Sequence, residues 1–441
     1  MSLQKKTING IFWSFFEAIA GNGLTFIVML LLARILGPSD FGLVALTTVF
    51  ISISQTFIDS GMTSALIRKN KCSQSDYSTV FYYNLIISFI IFILIYYASN
   101  YISIYFNQDQ LKYIFKILPL IIIINAFGIV HKTILTIQLD FKSHYISNLF
   151  STFISGCVAI YLALNNYGVW SLVFFEISRS LLSVSTFWYL SKWIPSFIFS
   201  KNSFNELFNY GYKLLLSGLL NTGFTNLFFI IIAKAYSPLQ LGLYKKADEF
   251  QALPSKQLNT LISKVSFPVL SKIKEKKSKL YSGYKKLISH VMLISIFAMM
   301  FLSSISEPLI LIILGDEWIL SAQYLELLCF VGLMYPLHSL NLNLLKVKGS
   351  SNTFLKLEIY KKILLLPVFY VAWNYGIFPM IYSLLIFNII GFFVNSYWTN
   401  KLIKLSSFEQ IKSFYIPFLI STFIYIIIIF IKKLSNFDIY I

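Results

Sequence analysis

The chain has 441 residues, of which 57% are hydrophobic and only 12% charged, with a mean hydropathy of +0.72; soluble chains carry about 25% charged residues, so a water-soluble globule is excluded. The net charge of +18 would suit nucleic acid, but the lysines sit in short loops between apolar blocks and form no continuous patch, which excludes that partner and leaves an acidic membrane surface. Three scattered cysteines, Cys72, Cys157 and Cys329, read as ordinary helix residues, with no metal spacing and no disulfide framework.

Lys5 and Lys6 precede an apolar stretch too long for the core of a signal peptide, so it is kept as the first helix. A helix needs about 20 mostly apolar residues to cross a bilayer, and thirteen blocks meet that length. The first six cover roughly 10–33, 41–66, 79–105, 112–137, 146–164 and 168–191. The next six cover roughly 211–233, 247–270, 287–313, 322–345, 357–375 and 377–400, and the last roughly 413–431. Such blocks are too long and continuous for the alternating strands of a barrel, so the expected fold is an all-α integral membrane protein. With the N-terminus inside, roughly three times as many Lys and Arg fall on the inner side as on the outer, the bias that marks the cytoplasmic face. The strongest inner loop carries Lys272, Lys274, Lys276, Lys277, Lys279, Lys285 and Lys286 and reads as a plain orientation anchor. Ser321 is expected in an outer loop.

Shifted by 200 residues, the sequence meets itself. Gly23, Thr25, Ala33, Pro38, Gly42 and Leu43 fall on Gly223, Thr225, Ala233, Pro238, Gly242 and Leu243, and Arg34 on Lys234. Six spans separate the copies, so both enter the membrane in the same direction and are related by an axis along the membrane normal. Substrate sites in such transporters lie between the repeats near the midplane. The expected domains are two six-helix bundles, 1–200 and 201–402, with an additional transmembrane helix in 403–441.

Polar side chains inside spans are costly and usually face a bundle interior or an aqueous cavity. On the second span Ser52, Gln55, Asp59 and Thr63 share one face; on the eighth, Asp248, Gln251, Ser255, Asn259 and Ser263 do the same, and the shift superposes Gln55, Asp59 and Thr63 on Ser255, Asn259 and Ser263. The first span carries Glu17, Gly21 and Thr25, and the seventh Lys213, Ser217, Asn221 and Thr225. These stripes predict a shared hydrophilic cavity, with Ser, Thr and Asn also able to serve as glue between helices. The candidate cavity residues are Glu17, Arg34, Gln55, Asp59, Lys213, Asn221, Asp248, Gln251, Lys256, Asn259 and Lys264. Arg34 has an equal alternative, snorkelling at the outer interface, and Asp59 sits where it could cap the end of its span. Glu176 and Arg179, three apart on the sixth span, read as a local ion pair. Pro254 and Pro268 should break or bend the eighth span. No phosphate loop, metal pair or ligand-spaced histidine is visible, so no enzyme activity, catalytic residue, metal or cofactor is expected.

Several ordered motifs carry a family resemblance. Leu32-Ala33-Arg34-Ile35-Leu36-Gly37-Pro38-Ser39-Asp40-Phe41-Gly42-Leu43 resembles the start of bacterial polysaccharide flippases of the multidrug/oligosaccharidyl-lipid/polysaccharide exporter superfamily. Asp59-Ser60-Gly61-Met62, Ala65-Leu66-Ile67-Arg68, Tyr167-Gly168-Val169-Trp170-Ser171-Leu172, Leu241-Gly242-Leu243-Tyr244, Leu253-Pro254, Leu314-Gly315-Asp316-Glu317-Trp318 with Ala322, and Lys348-Gly349 through Lys361-Lys362 continue it across nearly the whole chain. It is closest to the lipopolysaccharide, colanic-acid and exopolysaccharide branch. The resemblance implies two six-helix lobes forming a V, alternating access, and a polyprenyl-pyrophosphate-linked oligosaccharide as cargo in the plasma membrane. It also implies membrane lipids, a coupling ion (proton or sodium) and the polysaccharide polymerase and chain-length machinery as partners. In that frame Arg34, Lys213, Lys256 and Lys264 would meet the pyrophosphate, and Glu17 and Asp59 could hold a coupling proton. That branch often has fourteen spans, one more than is counted here. Rivals are a multidrug exporter of the same superfamily, a membrane polymerase or glycosyltransferase, and a channel. The candidate residues carry both signs and leave drug and pyrophosphate open; the motifs favour sugar export.

Overall fold

The computed structural model describes residues 21–69, 71–262, 270, 275–348 and 351–437; Glu17, Ser263, Lys264, Pro268, Lys272 and Lys274 lie outside them. Among the described residues the chain forms helices and no strand. It splits into two compact units, Met1–Gly242 and Leu243–Ile441. The first holds α1 (Asn22–Ile35), α2 (Pro38–Asp59), α3 (Met62–Arg68), α4 (Gln74–Phe106), α5 (Asp109–Ile117), α6 (Leu120–Ile137), α7 (Phe141–Leu164), α8 (Val169–Ser191) and α9 (Lys201–Ala235). The helix α10 (Pro238–Leu261) starts in the first unit and continues into the second. The second unit then has α11 (Lys277–Ser304), α12 (Ser306–Ile313), α13 (Ile319–Leu333), α14 (Tyr335–Val347), α15 (Ser351–Asn374), α16 (Ile377–Ile403), α17 (Ser407–Lys412) and α18 (Tyr415–Phe437).

Where described, each predicted span falls on one helix or on two abutting ones. Eight described helical stretches are long and apolar enough to cross a bilayer, and the chain is a multi-pass membrane protein. α8 and α10 are long but fall short of that standard, because Glu176 and Arg179 lie within the first and Lys245, Lys246, Asp248 and Glu249 within the second.

Four spans are split by a short break in the helix. Ser60 and Gly61 both adopt left-handed conformations, φ 46° and 69°, and separate α2 from α3. Pro119, without an N–H, lies between α5 and α6. Ile305 separates α11 from α12, and Met334 separates α13 from α14. Pro254, expected to break or bend its span, does not break it: α10 runs through it.

In the first unit α7 packs on α1 and α8, α8 on α6, and α9 on α2 and α3. Met62, Leu66, Val80, Phe81, Val130 and Leu207 form a core cluster there. Where α9 crosses the α2–α3 break the backbones nearly touch: a Cβ on Gly211 would lie 2.5 Å from the Ser60 carbonyl oxygen. In the second unit α11 packs on α13 and α18, and α14 on α16.

Two expectations are corrected here. Ser321 is fully buried in the first turn of α13, donating to the Leu243 carbonyl at 2.8 Å; the helix begins earlier than hydropathy suggested, after a short turn that buries Trp318. Cys72 lies in the α3–α4 connection, not in a helix, its thiol 3.3 Å from the Leu66 carbonyl.

Candidate substrate cavity

In the first unit α6, α7 and α8 line an open cavity of about 300 Å³. α6 contributes Asn125 and Lys132, α7 contributes His144, Asn148 and Ser151, and α8 contributes Glu176, Arg179, Ser180, Ser183 and Phe187. Small hydroxyl side chains let these helices approach. Ser147 of α7 donates to the Ser183 carbonyl of α8 at 3.2 Å. His144 is buried, with Nε2 at 3.3 Å from the Thr136 hydroxyl.

Two hydrogen-bond chains connect the cavity to the polar faces of the first two spans. Arg179 donates from Nη2 to Asn148 Oδ1 at 3.2 Å, and its guanidinium lies 5.9 Å from the Phe175 ring centre. Thr152 donates to the same Asn148 oxygen at 3.3 Å and meets Thr25 of α1 at 3.4 Å. Gly21 is close behind: a Cβ there would lie 2.6 Å from Asn148 Nδ2. In the second chain Ser180 donates to Asn125 Oδ1 at 2.7 Å, and Asn125 donates to Gln55 Oε1 at 3.5 Å. Gln55, Gly21 and Thr25, read from sequence as stripe residues, therefore border this cavity.

The other candidates divide by environment. Asp59 is half-buried and accepts from the Thr63 N–H at 3.3 Å, so it caps α3 across the Ser60–Gly61 break. Arg34, Lys213 and Asn221 are exposed on α1 and α9. Gln251 is buried, donates to Ser255 at 2.7 Å and presses on Gly332 of α13, where a Cβ would lie 1.6 Å from Gln251 Nε2. That is helix-packing geometry. Asp248 is half-buried; Asn259 is too, and its Oδ1 accepts no hydrogen bond among the described residues. Lys256 lies on α10, but its side chain is outside those described, and Glu17 and Lys264 lie outside the described residues altogether.

Sequence reasoning passed over Lys132, His144, Asn125 and Asn148. The signal was there: Asn125 and Lys132 are seven apart, and His144, Asn148, Ser151 and Ser155 follow helical spacing. It also passed over Lys246, which is buried and paired with Glu249 at 3.1 Å.

The model of the family described as "Polysaccharide biosynthesis protein" matches residues 31–323. The chain belongs to that family. Among curated relatives it is 26% identical over 436 residues to the lipopolysaccharide biosynthesis protein WzxC of Escherichia coli (strain K12), covering 96% of this chain and 86% of the relative. It is 24% identical over 435 residues to the teichuronic acid biosynthesis protein TuaB of Bacillus subtilis (strain 168), covering 95% and 88%. Among solved structures it resembles the lipid II flippase MurJ in an inward closed conformation, with TM-score 0.69 and 19% identity over 97% of this chain and 100% of that one. This last likeness establishes the shared helical-bundle fold.

Proposed function

We propose that this membrane protein is a flippase that moves polyprenyl-pyrophosphate-linked oligosaccharides across the plasma membrane by alternating access, for cell-surface polysaccharide synthesis. The observation that carries this reading is family membership, supported along nearly the full chain by relatives named for polysaccharide synthesis. The polar interior of α6–α8 fits it, since amides and hydroxyls inside a membrane bundle mark a polar pathway. Two lobes, 1–200 and 201–402, followed by a helix in 403–441, form the transport unit in this reading. The N-terminus is cytoplasmic. Arg34, Lys213, Lys256 and Lys264 offer positive charge to the pyrophosphate, and a proton or sodium gradient supplies the drive. The protein forms no bond in its cargo; a polymerase consumes the delivered units. A multidrug exporter of the same superfamily is the second reading. The lining of Lys132 and Arg179 against the single carboxylate of Glu176 disfavours it, because cationic drugs call for an acidic site.

In sealed vesicles holding the purified protein, fluorescent polyprenyl-pyrophosphate oligosaccharide should reach the opposite leaflet without nucleotide. A strict requirement for ATP, or no translocation by folded protein, would overturn the proposal.

A further inference from the structure

We infer that a pocket at one end of the first unit, between the start of α2, α5 and the turn from α7 into α8, binds a primary ammonium group carried by a lipid headgroup or an amino sugar. The inference holds whatever cargo the protein moves.

Three connections meet at this end of the bundle, and the thirteen-span reading predicts all three on the outer side. The pocket measures about 210 Å³. Asp40 of α2, Gln110 and Tyr113 of α5, and Asn166, Tyr167 and Trp170 around the start of α8 line it. Two of the sequence motifs converge here, since the 32–43 stretch supplies Asp40 and the 167–172 stretch supplies Tyr167 and Trp170. Asn166 and Gly168 are left-handed, φ 63° and 55°, and make the tight turn beside α2. A Cβ on Gly168 would lie 3.7 Å from Asp40 Oδ2, so the carboxylate is aimed at that turn.

Asp40 sets the charge of the ligand. It is half-buried and makes no side-chain cap on its own helix. Among the described residues it has no hydrogen bond and no ion pair. A carboxylate withdrawn from water without a partner is costly, and no lysine or arginine lines the pocket. The site therefore favours a cation and repels phosphates and carboxylates.

The rest of the lining selects the kind of cation. A hard metal ion takes about six or more oxygen ligands, and one carboxylate with two amides falls short of that. Tyr113, Tyr167 and Trp170 make no ring or cation contact among the described residues, which leaves their faces open to an organic cation. The oxygens of Asp40, Gln110 and Asn166 match the three N–H donors of a primary ammonium, donors that a quaternary ammonium lacks. Tyr113 and Tyr167 are 57% and 55% exposed, and tyrosines gather at headgroup depth. The volume is below the roughly 300–1,000 Å³ of small-molecule cavities, which suits a headgroup or one amino sugar and excludes a sugar chain.

Native mass spectrometry of the full-length protein in detergent tests this with phosphatidylethanolamine, phosphatidylcholine and phosphatidylglycerol, and with glucosamine against glucose. Phosphatidylethanolamine should bind about tenfold more tightly than the other two lipids, or glucosamine about tenfold more tightly than glucose. The first result with glucosamine inert assigns the ammonium to a lipid; the second with the lipid inert assigns it to an amino sugar. D40N should abolish the preference, and Y113L should weaken it about threefold through the lost cation–π contact. Tyr113 is exposed, so Y113L carries the test if D40N does not fold. A photo-crosslinkable analogue of whichever ligand binds should label residues 109–117 or 165–170. Equal binding of phosphatidylcholine and phosphatidylethanolamine together with equal binding of glucose and glucosamine would overturn the assignment. So would an unchanged preference in folded D40N or, failing that variant, in Y113L, or crosslinks confined to other segments.

Discussion

Glycine pairs at equivalent places of the repeat separate two uses of the same residue. Gly42 and Gly242 sit where α2 meets the first turn of α10. A Cβ on Gly42 would lie 1.7 Å from the Pro238 carbonyl oxygen, and one on Gly242 1.8 Å from the Pro38 carbonyl oxygen. Each copy of the Pro–Gly motif thus receives the backbone of the other, so the six-identity repeat reflects a reciprocal contact at this point. Gly23 and Gly223 have no heavy atom within 4 Å of a built Cβ. Gly42→Ala and Gly242→Ala should each destabilise by about 1–3 kcal/mol or more, the range of overpacking. Gly23→Ala and Gly223→Ala should be neutral or stabilising by up to about 1 kcal/mol, since glycine is a poor residue inside a helix. Thermal midpoints of the four variants in detergent check this; similar values for both pairs would refute it. Sequence comparison showed that all four glycines repeat, but the demand on each depends on atoms about 200 residues away in the chain, which no local pattern encodes.

The elements were legible where hydropathy sets them and illegible where backbone chemistry cuts across it. Each of the thirteen apolar blocks is mostly helical where described, yet the break at Ser60–Gly61 lies inside one of them. The break is stabilised locally: Asp59 closes α2 and caps α3 through the Thr63 N–H. Asp59 was singled out for its charge in an apolar span, and the cap accounts for its position. Asp59→Asn keeps an acceptor and should leave thermal stability unchanged, whereas Asp59→Ala should cost about 1 kcal/mol, a typical cap loss. Equal destabilisation by both would show that charge, not capping, matters there. A second repeat signal escaped the 200-residue shift. Gly168 precedes α8 with φ 55° and Gly376 precedes α16 with φ 109°, and left-handed Lys192 and Lys404 close the same two helices. These pairs are 208 and 212 residues apart, since α16 is 27 residues long against 23 for α8, so only a gapped comparison finds them. The cavity was half legible for a similar reason. Gln55 and Thr25 were read from one-dimensional spacing, but their partners Asn125 and Thr152 lie on the fourth and fifth spans, whose polar residues the repeat did not single out.

At the scale of the whole molecule the open quantity is which side each connection faces, and helix lengths constrain it. α2 alone, with 22 residues, reaches about 33 Å at 1.5 Å per residue, enough to cross a hydrocarbon core of about 30 Å. The seven-residue α3 is then an interfacial appendix, and the pair counts as one crossing. α6, with 18 residues, spans about 27 Å. The short α5 turns Leu111, Ile114 and Phe115 inward with Lys112 and Lys116 on its other positions, the pattern of a helix lying along the interface. Neither of these two splits adds a crossing, and on a thirteen-span reading the excess of Lys and Arg predicts which side is inner. Reporter fusions after Lys71 and Lys192 should therefore fluoresce as cytoplasmic, while alkaline phosphatase fused after Asn107 and after Gly376 should be active outside. The Lys276–Lys286 segment should resist externally added protease, and Ile441 should be external. Agreement of Lys71 and Asn107 on one side would mean that α4, 33 residues long and about 50 Å at 1.5 Å per residue, does not cross. It would also place the basic end of α6 at Lys132 on the wrong face for the bias that orients the protein.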